Sequence, residues 1–312
     1  MKIHQLSALI ALVDEGSIRG AARSLGLTQP ALSARIAELE HDVGATLVNR
    51  TARGTTLTAA GRTLLHHARA IANHVRRAEA DMARITSRST ASITIGASPL
   101  AAVELVAPLW TSLQRRVSDV RLSIIEGQFH DLTPLLRDGG VEFILAQIPS
   151  GNRDTRAFHF EELITYPMRV VARKGHPKAG SRHLSDLSEQ SWIVGAATSR
   201  NRSTVEEIFL EHGLPAPRVD MHCDAITGVQ ASIAESDLLA VLVAPLYEHL
   251  GDRIVALPIE DRLRPVRLAL ITMAGTPLSP EAQILTELIR ARSKKLANVS
   301  AAKRRKDTAG VP

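Results

Sequence analysis

A chain of 312 residues with 45% hydrophobic and 22% charged side chains has the make-up of a globular protein of two or more domains. Its single cysteine, Cys223, rules out an internal disulfide and a cysteine-based zinc site, and no apolar run reaches the ~18–20 residues that a membrane span needs. The net charge is +6 and the excess sits at the ends: residues 1–88 hold twelve basic side chains against seven acidic ones, which points to a polyanion as the partner of that end.

The opening Met1-Lys2-Ile3-His4-Gln5 has neither the basic region nor the apolar stretch of a signal peptide, so a cytoplasmic location is expected. Leu6, Leu9, Ile10 and Val13 recur at helical spacing and predict a first helix from His4 to Glu15, ended by Gly16. Ser17 stands as the N-cap of a second, short helix with Ala21, Ala22 and Leu25 inward. Gly26 breaks it. Thr28 then caps a third helix with Pro30 in its first turn, where a missing N–H costs nothing, and Leu32, Ile36 and Leu39 line its inner side.

Two short helices joined by a tight Gly-containing turn form a helix-turn-helix, whose second helix enters the major groove by its N-terminal end. The outward residues there are Gln29, Pro30, Ser33, Ala34 and Ala37, with Arg35 at the flank. Gln29 suits an adenine edge, Ser33 a base or phosphate, and Pro30 a thymine methyl. Ser17 and Thr28 at the helix starts complete the predicted contact set. A hairpin follows, with strands Thr46-Leu47-Val48 and Thr55-Thr56-Leu57 about an Arg53-Gly54 turn. Arg50 and Arg53 make it a basic wing suited to phosphate or the minor groove.

Thr58 can cap a long helix. Leu64, Ala68, Ile71, Val75, Ala78, Met82 and Ile85 recur at steps of four and three, a heptad seam over three heptads that predicts pairing with the same helix of a second copy. His66, His67 and His74 on this helix read as a solvated face. A dimer carries two reading heads and predicts a roughly two-fold symmetric operator in double-stranded DNA.

Beyond Ser87 the pattern changes to alternating strands and helices, the mark of an α/β domain. Strands are predicted at Ile93–Gly96, Leu122–Ile125 and Glu142–Leu145, and around Met168–Ala172, Trp192–Val194, Leu238–Val243 and Arg267–Ile271. Helices are expected at Val103–Leu113, Asp131–Arg137, Thr204–His212 and Pro280–Leu296, and one opens at Asp224-Ala225-Ile226. Ligands of open α/β sheets bind beyond the carboxyl ends of strands. The candidates there are Ser98 and Pro99 after the first strand, Gln128 after the second and Gln147 after the third. In the second half they are Thr198, Ser199, Arg200, Arg202 and Asp224. Hydroxyls, guanidinium groups and helix starts suit a small carboxylate or sulfonate.

Gly16-Ser17-Ile18-Arg19-Gly20-Ala21-Ala22, Leu27-Thr28-Gln29-Pro30-Ala31-Leu32-Ser33, Ile36-Ala37-Glu38-Leu39-Glu40 and Arg53-Gly54-Thr55-Thr56-Leu57-Thr58-Ala59-Ala60-Gly61 resemble the LysR-type transcriptional regulators, nearly unbroken from Ile3 to Gly61. One departure is Ala34, where many members carry Arg. Ile125-Glu126-Gly127-Gln128 and Gly175-His176-Pro177 are also similar to a branch of that family that regulates p-aminobenzoyl-glutamate utilisation, which points to an aromatic or acyl carboxylate.

The resemblance implies an α/β protein overall. Its parts are a winged helix-turn-helix over 1–58, a dimerising linker helix over 59–88, a two-lobed periplasmic-binding-protein-like effector domain over 89–298, and a basic flexible tail over 299–312. The lobes are expected at 91–161 with 268–298, and at 162–267. It implies a dimer, two such dimers as a tetramer, and RNA polymerase as a partner if the protein activates. No nucleophile elbow, zincin helix, phosphate loop or dinucleotide fingerprint is present, so no catalytic residue, metal or cofactor is expected and the chain reads as no enzyme.

Overall fold

The computed structural model describes residues 1–51, 54–86, 91–148, 157–195 and 203–309. Three helices open it: α1 (Ile3–Glu15), α2 (Ile18–Ser24) and α3 (Gln29–Val43). Gly16 supplies the left-handed turn at φ +65° that α1 needs in order to stop. Ser17 Oγ accepts from the Gly20 amide at 3.0 Å, and Thr28 Oγ1 from the Ala31 amide at 3.3 Å, as the cap signals require. Leu9, Leu12, Leu32, Ile36 and Leu39 close one core between the helices.

The wing consists of β1 (Val48–Thr51) and β2 (Gly54–Leu57), antiparallel with Val48 opposite Leu57 and Thr51 opposite Gly54. The first strand begins two residues later than its pattern suggests. Leu47 and Val48 donate their amides to Glu40 Oε1 at 2.7 and 3.1 Å, and the Leu47 side chain is buried in the helical core. Thr46 and Leu47 are therefore the anchor of the wing, not part of its ladder.

Helix α4 (Ala59–Thr86) runs 28 residues, about 42 Å at 1.5 Å per residue. Its apolar stripe is shared between two environments. Leu64, Ala68 and Ile71 pack into the core of the chain's own three helices, with Ala68 fully buried. Ala78 is exposed, and Met82 is 59% exposed. The side chain of Ile85 lies outside the described residues.

Two α/β lobes follow. In the first, β3 (Ala91–Ala97) lies between β4 (Val120–Glu126) and β5 (Ile144–Gln147), all parallel. β6 (Phe158–Tyr166) pairs with β12 (Val266–Met273), which runs antiparallel to β5, so the order is β4-β3-β5-β12-β6. Between β3 and β4 the chain passes through α5 (Pro99–Ala101), a π-turn, a 3₁₀ turn and α6 (Trp110–Arg116). α7 (Phe129–Arg137) joins β4 to β5.

The second lobe repeats this plan. β7 (Met168–Arg173) is flanked by β10 (Ala240–Val243) and β11 (Ile254–Ala256), and β8 (Ser191–Val194) pairs in parallel with β9 (Arg218–His222). A parallel bridge from Trp192 to Leu239 joins the two pieces into the order β9-β8-β10-β7-β11. α8 (Thr204–Glu211) and α9 (Ile226–Glu235) are its crossovers. Two strands cross between lobes, and because Tyr166 pairs with Val266 the first lobe keeps its sheet to those residues, beyond the expected limits of 161 and 268.

α10 (Pro280–Ala309) returns to the first lobe, where Arg290 grips the Glu161 carboxylate by three hydrogen bonds of 2.8–3.0 Å. That guanidinium holds the Glu161 carboxyl below its ordinary range. The helix continues through the basic segment to Ala309. Ala, Lys and Arg are good helix formers, and cations at a helix C-terminus meet the negative end of its dipole.

Candidate nucleic-acid interface and effector cleft

The candidate reading face is built on the N-terminal half of α3. Thr28, Gln29, Pro30, Ala34 and Ala37 are all exposed there, whereas Leu32, Ile36 and Leu39 on the opposite side are buried. Ser33 and Arg35 are half-buried; Ser33 borders a small gap lined also by Leu12, Ile18 and Val48. Ser17 is exposed at the start of α2, with its oxygen already accepting from Gly20. Arg50 lies on β1 opposite Thr55, its side chain outside the described residues, and Arg53 lies outside them altogether.

Sequence reasoning passed over two further cations. Arg19 and Arg23 are exposed on α2, the helix that crosses the backbone in such units. The signal was available: an exposed basic pair four residues apart, one helical turn, just after a cap. Glu40 was also missed, because its role in fixing the wing against α3 requires knowing where Leu47 and Val48 come to lie.

In the first lobe, Ala97 pairs with Glu126 and with Leu145, so β3, β4 and β5 end at one edge. Ser98, Pro99, Gln128 and Gln147 stand at that edge together. Ser98 is 5% exposed, and its Oγ is held only by a long contact of 3.4 Å from the Ala101 amide. Its own amide donates to the Leu145 carbonyl at 2.8 Å. The Ser98 amide is therefore taken up, whereas its hydroxyl proton has no acceptor among the described residues. The Gln128 amide likewise donates to Asp131 Oδ2 at 3.0 Å, as the N-cap of α7.

In the second lobe, Asp224 follows the end of β9 and leads into α9. Thr198, Ser199, Arg200 and Arg202 lie outside the described residues. Arg169 was not foreseen. It is exposed and sits opposite Leu242 at the start of β7, and because β7 is antiparallel to β10 this is the carboxyl edge of β10. A cation thus stands at the start of β7, just past the crossing, where Tyr166 donates to Glu104 Oε2 at 2.9 Å. Burial and the Glu104 carboxylate push the Tyr166 phenol well above its ordinary range, so it remains a donor. Among the described residues no group of His, Cys, Asp and Glu could hold a metal ion.

Comparison with known proteins matches residues 3–62 to the bacterial regulatory helix-turn-helix protein of the lysR family, and residues 87–294 to the LysR substrate binding domain. The regulator GbpR of Azospirillum brasilense is 28% identical, covering 94% of this chain and 87% of its own. The SDS degradation transcriptional activation protein of a Pseudomonas species is 28% identical, covering 92% and 95%. Among solved structures, full-length CbnR complexed with its target DNA superposes with a TM-score of 0.65 at 18% identity, covering 94% of this chain and 100% of that one.

Proposed function

The chain belongs to the LysR family of transcriptional regulators, a DNA-binding regulator with a substrate-binding domain rather than an enzyme, and on that premise we propose that it is switched by a small anion held between its two lobes. The reading is supported by the shared edge of β3, β4 and β5, which gathers Ser98, Pro99, Gln128 and Gln147, and by Arg169 at the carboxyl edge of β10 in the second lobe. Thr198, Ser199, Arg200, Arg202 and Asp224 complete the proposed site from the second lobe. The name of the SDS-degradation relative refers to an alkyl sulfate, and a sulfate or carboxylate is what hydroxyl, amide and guanidinium donors select.

In thermal shift of the full chain, benzoate and octyl sulfate are the probes. A ligand at a hundred times its Kd stabilises by about 2.7 kcal/mol, a rise of several degrees. Ser98→Leu is expected to remove that rise while leaving DNA binding intact. An unchanged rise in the variant, or stabilisation by neutral analogues alone, would overturn the anion reading.

On DNA we assign base reading to Gln29, Pro30 and Ser33, and positioning on phosphates to Ser17, Thr28, Arg35, Arg50 and Arg53, joined by Arg19 and Arg23. Gln29→Ala is expected to cut discrimination between the operator and a mutated site by about 10–100-fold, since a bidentate base contact is worth ~1–3 kcal/mol. Arg19→Ala should weaken all DNA alike and lower the salt slope by about one. Equal loss of discrimination from both, by anisotropy titration at several salt concentrations, would refute the assignment.

For assembly, the half-buried Val75 and the exposed Ala78 and Met82 of α4 are offered to a second copy, with the outer strands β4 and β9, where Ile124, Ile125 and Met221 are exposed, as a further apolar surface. A dimer on a two-fold operator, two dimers as a tetramer, and contact with RNA polymerase when activating belong to this reading, as does a cytoplasmic location.

A further inference from the structure

Asp138 follows the last residue of α7 and is only 7% exposed. A carboxylate there opposes the negative end of the α7 dipole, so it does nothing for its own helix. Among the described residues the partners of its carboxylate come from the linker. His66 Nδ1 lies 2.8 Å from Oδ1, and Arg69 NH1 lies 3.6 Å from Oδ2. The Asn73 amide donates to the Asp138 carbonyl. Next to it, Gly139 adopts φ +69° and approaches so closely that a Cβ would stand 3.1 Å from Cβ of Asn73. Residues 66, 69 and 73 are three and four apart, so they share one face of α4.

The same Arg69 reaches the reader: its NH2 lies 2.5 Å from Oδ1 of Asp14 at the end of α1. One guanidinium thus touches the reading head and the first lobe at once. The two ends of that bridge differ in what separation would cost. Asp14 has a side chain 54% exposed and is rehydrated freely, whereas the Asp138 side chain is 10% exposed and would lose its partners in a dry setting. The carboxylate of the lobe therefore favours the docked linker far more than a surface ion pair would. α7 itself is nine residues, about 13 Å, and its other end is Gln128 at the cleft.

We propose that Asp138 is the latch by which the sensor holds the linker helix, with His66, Arg69 and Asn73 as its keepers, and that its release frees the reading head from the first lobe. That α7 ties this latch to the cleft rests on the effector reading above; the latch itself does not. All four act as positioning residues, through the linker.

The test uses the full chain without added ligand. Amide hydrogen exchange is followed in residues 62–76 of α4, alongside a footprint on the DNA upstream of the protein's own gene. Asp138→Asn and Arg69→Ala are each expected to raise exchange in that segment by about tenfold and to alter the footprint, with β3, β5 and α3 at parent rates. Arg69→Lys keeps the charge and should stay within about twofold of the parent. Asp14→Asn cuts only the reader side and should leave the lobe contact protected. Should Asp138→Asn not fold, Arg69→Ala, which changes a partly exposed side chain, decides alone. Parent exchange and footprint in the charge-removing variants would overturn the latch. Because no effector enters this experiment, its failure is distinct from failure of the thermal-shift test on Ser98.

Discussion

Ala34→Glu is expected to weaken operator binding at least about a hundredfold while shifting the melting temperature by no more than about a degree. Ala34 is exposed on the outer face of α3, one turn in from Gln29 and Pro30, and the side chains that hold the head together lie on the opposite side. An exposed Ala→Glu exchange within a helix costs only a few tenths of a kcal/mol. In the major groove the same carboxylate meets a phosphate charge every ~1.7 Å of helix axis, and like-charge juxtaposition costs several kcal/mol. Since ~1.4 kcal/mol is tenfold in affinity, a hundredfold loss is a modest estimate. Fluorescence anisotropy at fixed salt and calorimetry of the free protein separate the two effects. A loss under about fivefold would remove this face of α3 from the groove. The reverse change, Ala34→Arg, is expected to tighten binding to all sequences and to steepen the salt dependence, because it adds a phosphate contact.

Gly61→Ala is expected to destabilise the reading head by about 3 kcal/mol, although the residue lies inside a helix where alanine is preferred. Propensity alone favours the change by about 1 kcal/mol. Against it stands a close approach: a Cβ at residue 61 would lie 2.1 Å from the Leu47 carbonyl oxygen and 3.1 Å from a methyl of Leu57. That carbonyl cannot easily move. It accepts from the Thr58 amide at 2.9 Å, while the Leu47 and Val48 amides are both held by Glu40. Overpacking against a held backbone group costs more than a flexible side chain would, at or above the upper end of the usual ~1–3 kcal/mol. In a head of this size 1 kcal/mol corresponds to about 4–8 °C, so its transition should fall by more than about ten degrees while that of the sensor stays in place. The wing would lose its register with α3, and DNA binding would fall with it. Calorimetry of the full chain checks the first outcome; a stabilised head would show that the contact at Leu47 yields without cost.

The reading head was legible in the sequence because its signals are local. Ser17 and Thr28 cap the helices they precede, Gly16 ends the helix before it, and Leu32, Ile36 and Leu39 lie inside at the spacing of a helix face. The sensor was legible as a class. Alternating strands and helices marked both lobes, and Ser98, Gln128 and Gln147 do stand at one edge. Less visible were β6, β9 and β11. β9 is an outer strand whose Arg218, Asp220 and His222 face water with no buried partner stripe, and β11 has three residues, too few for a period. Arg169 at the carboxyl edge of β10 was missed because its place depends on the pairing of β7 with β10, not on its neighbours in the chain.

By itself the sequence determined a capped three-helix head with an exposed polar reading face, a long amphipathic helix, and two α/β lobes. Each follows from caps, turns and periodicity within a few residues. Only the tertiary structure decided what covers the stripe of that long helix. A row from Leu64 to Ile85 states that something apolar must cover it, but apolar burial is non-directional and does not name the surface. The first part of the row is closed by α1 of the same chain, while Met82 further along is 59% exposed. The same holds for Asp138, an ordinary acidic residue after a helix in the sequence. Only the fold brings His66, Arg69 and Asn73 to it across some seventy positions and makes one carboxylate the joint between sensor and linker.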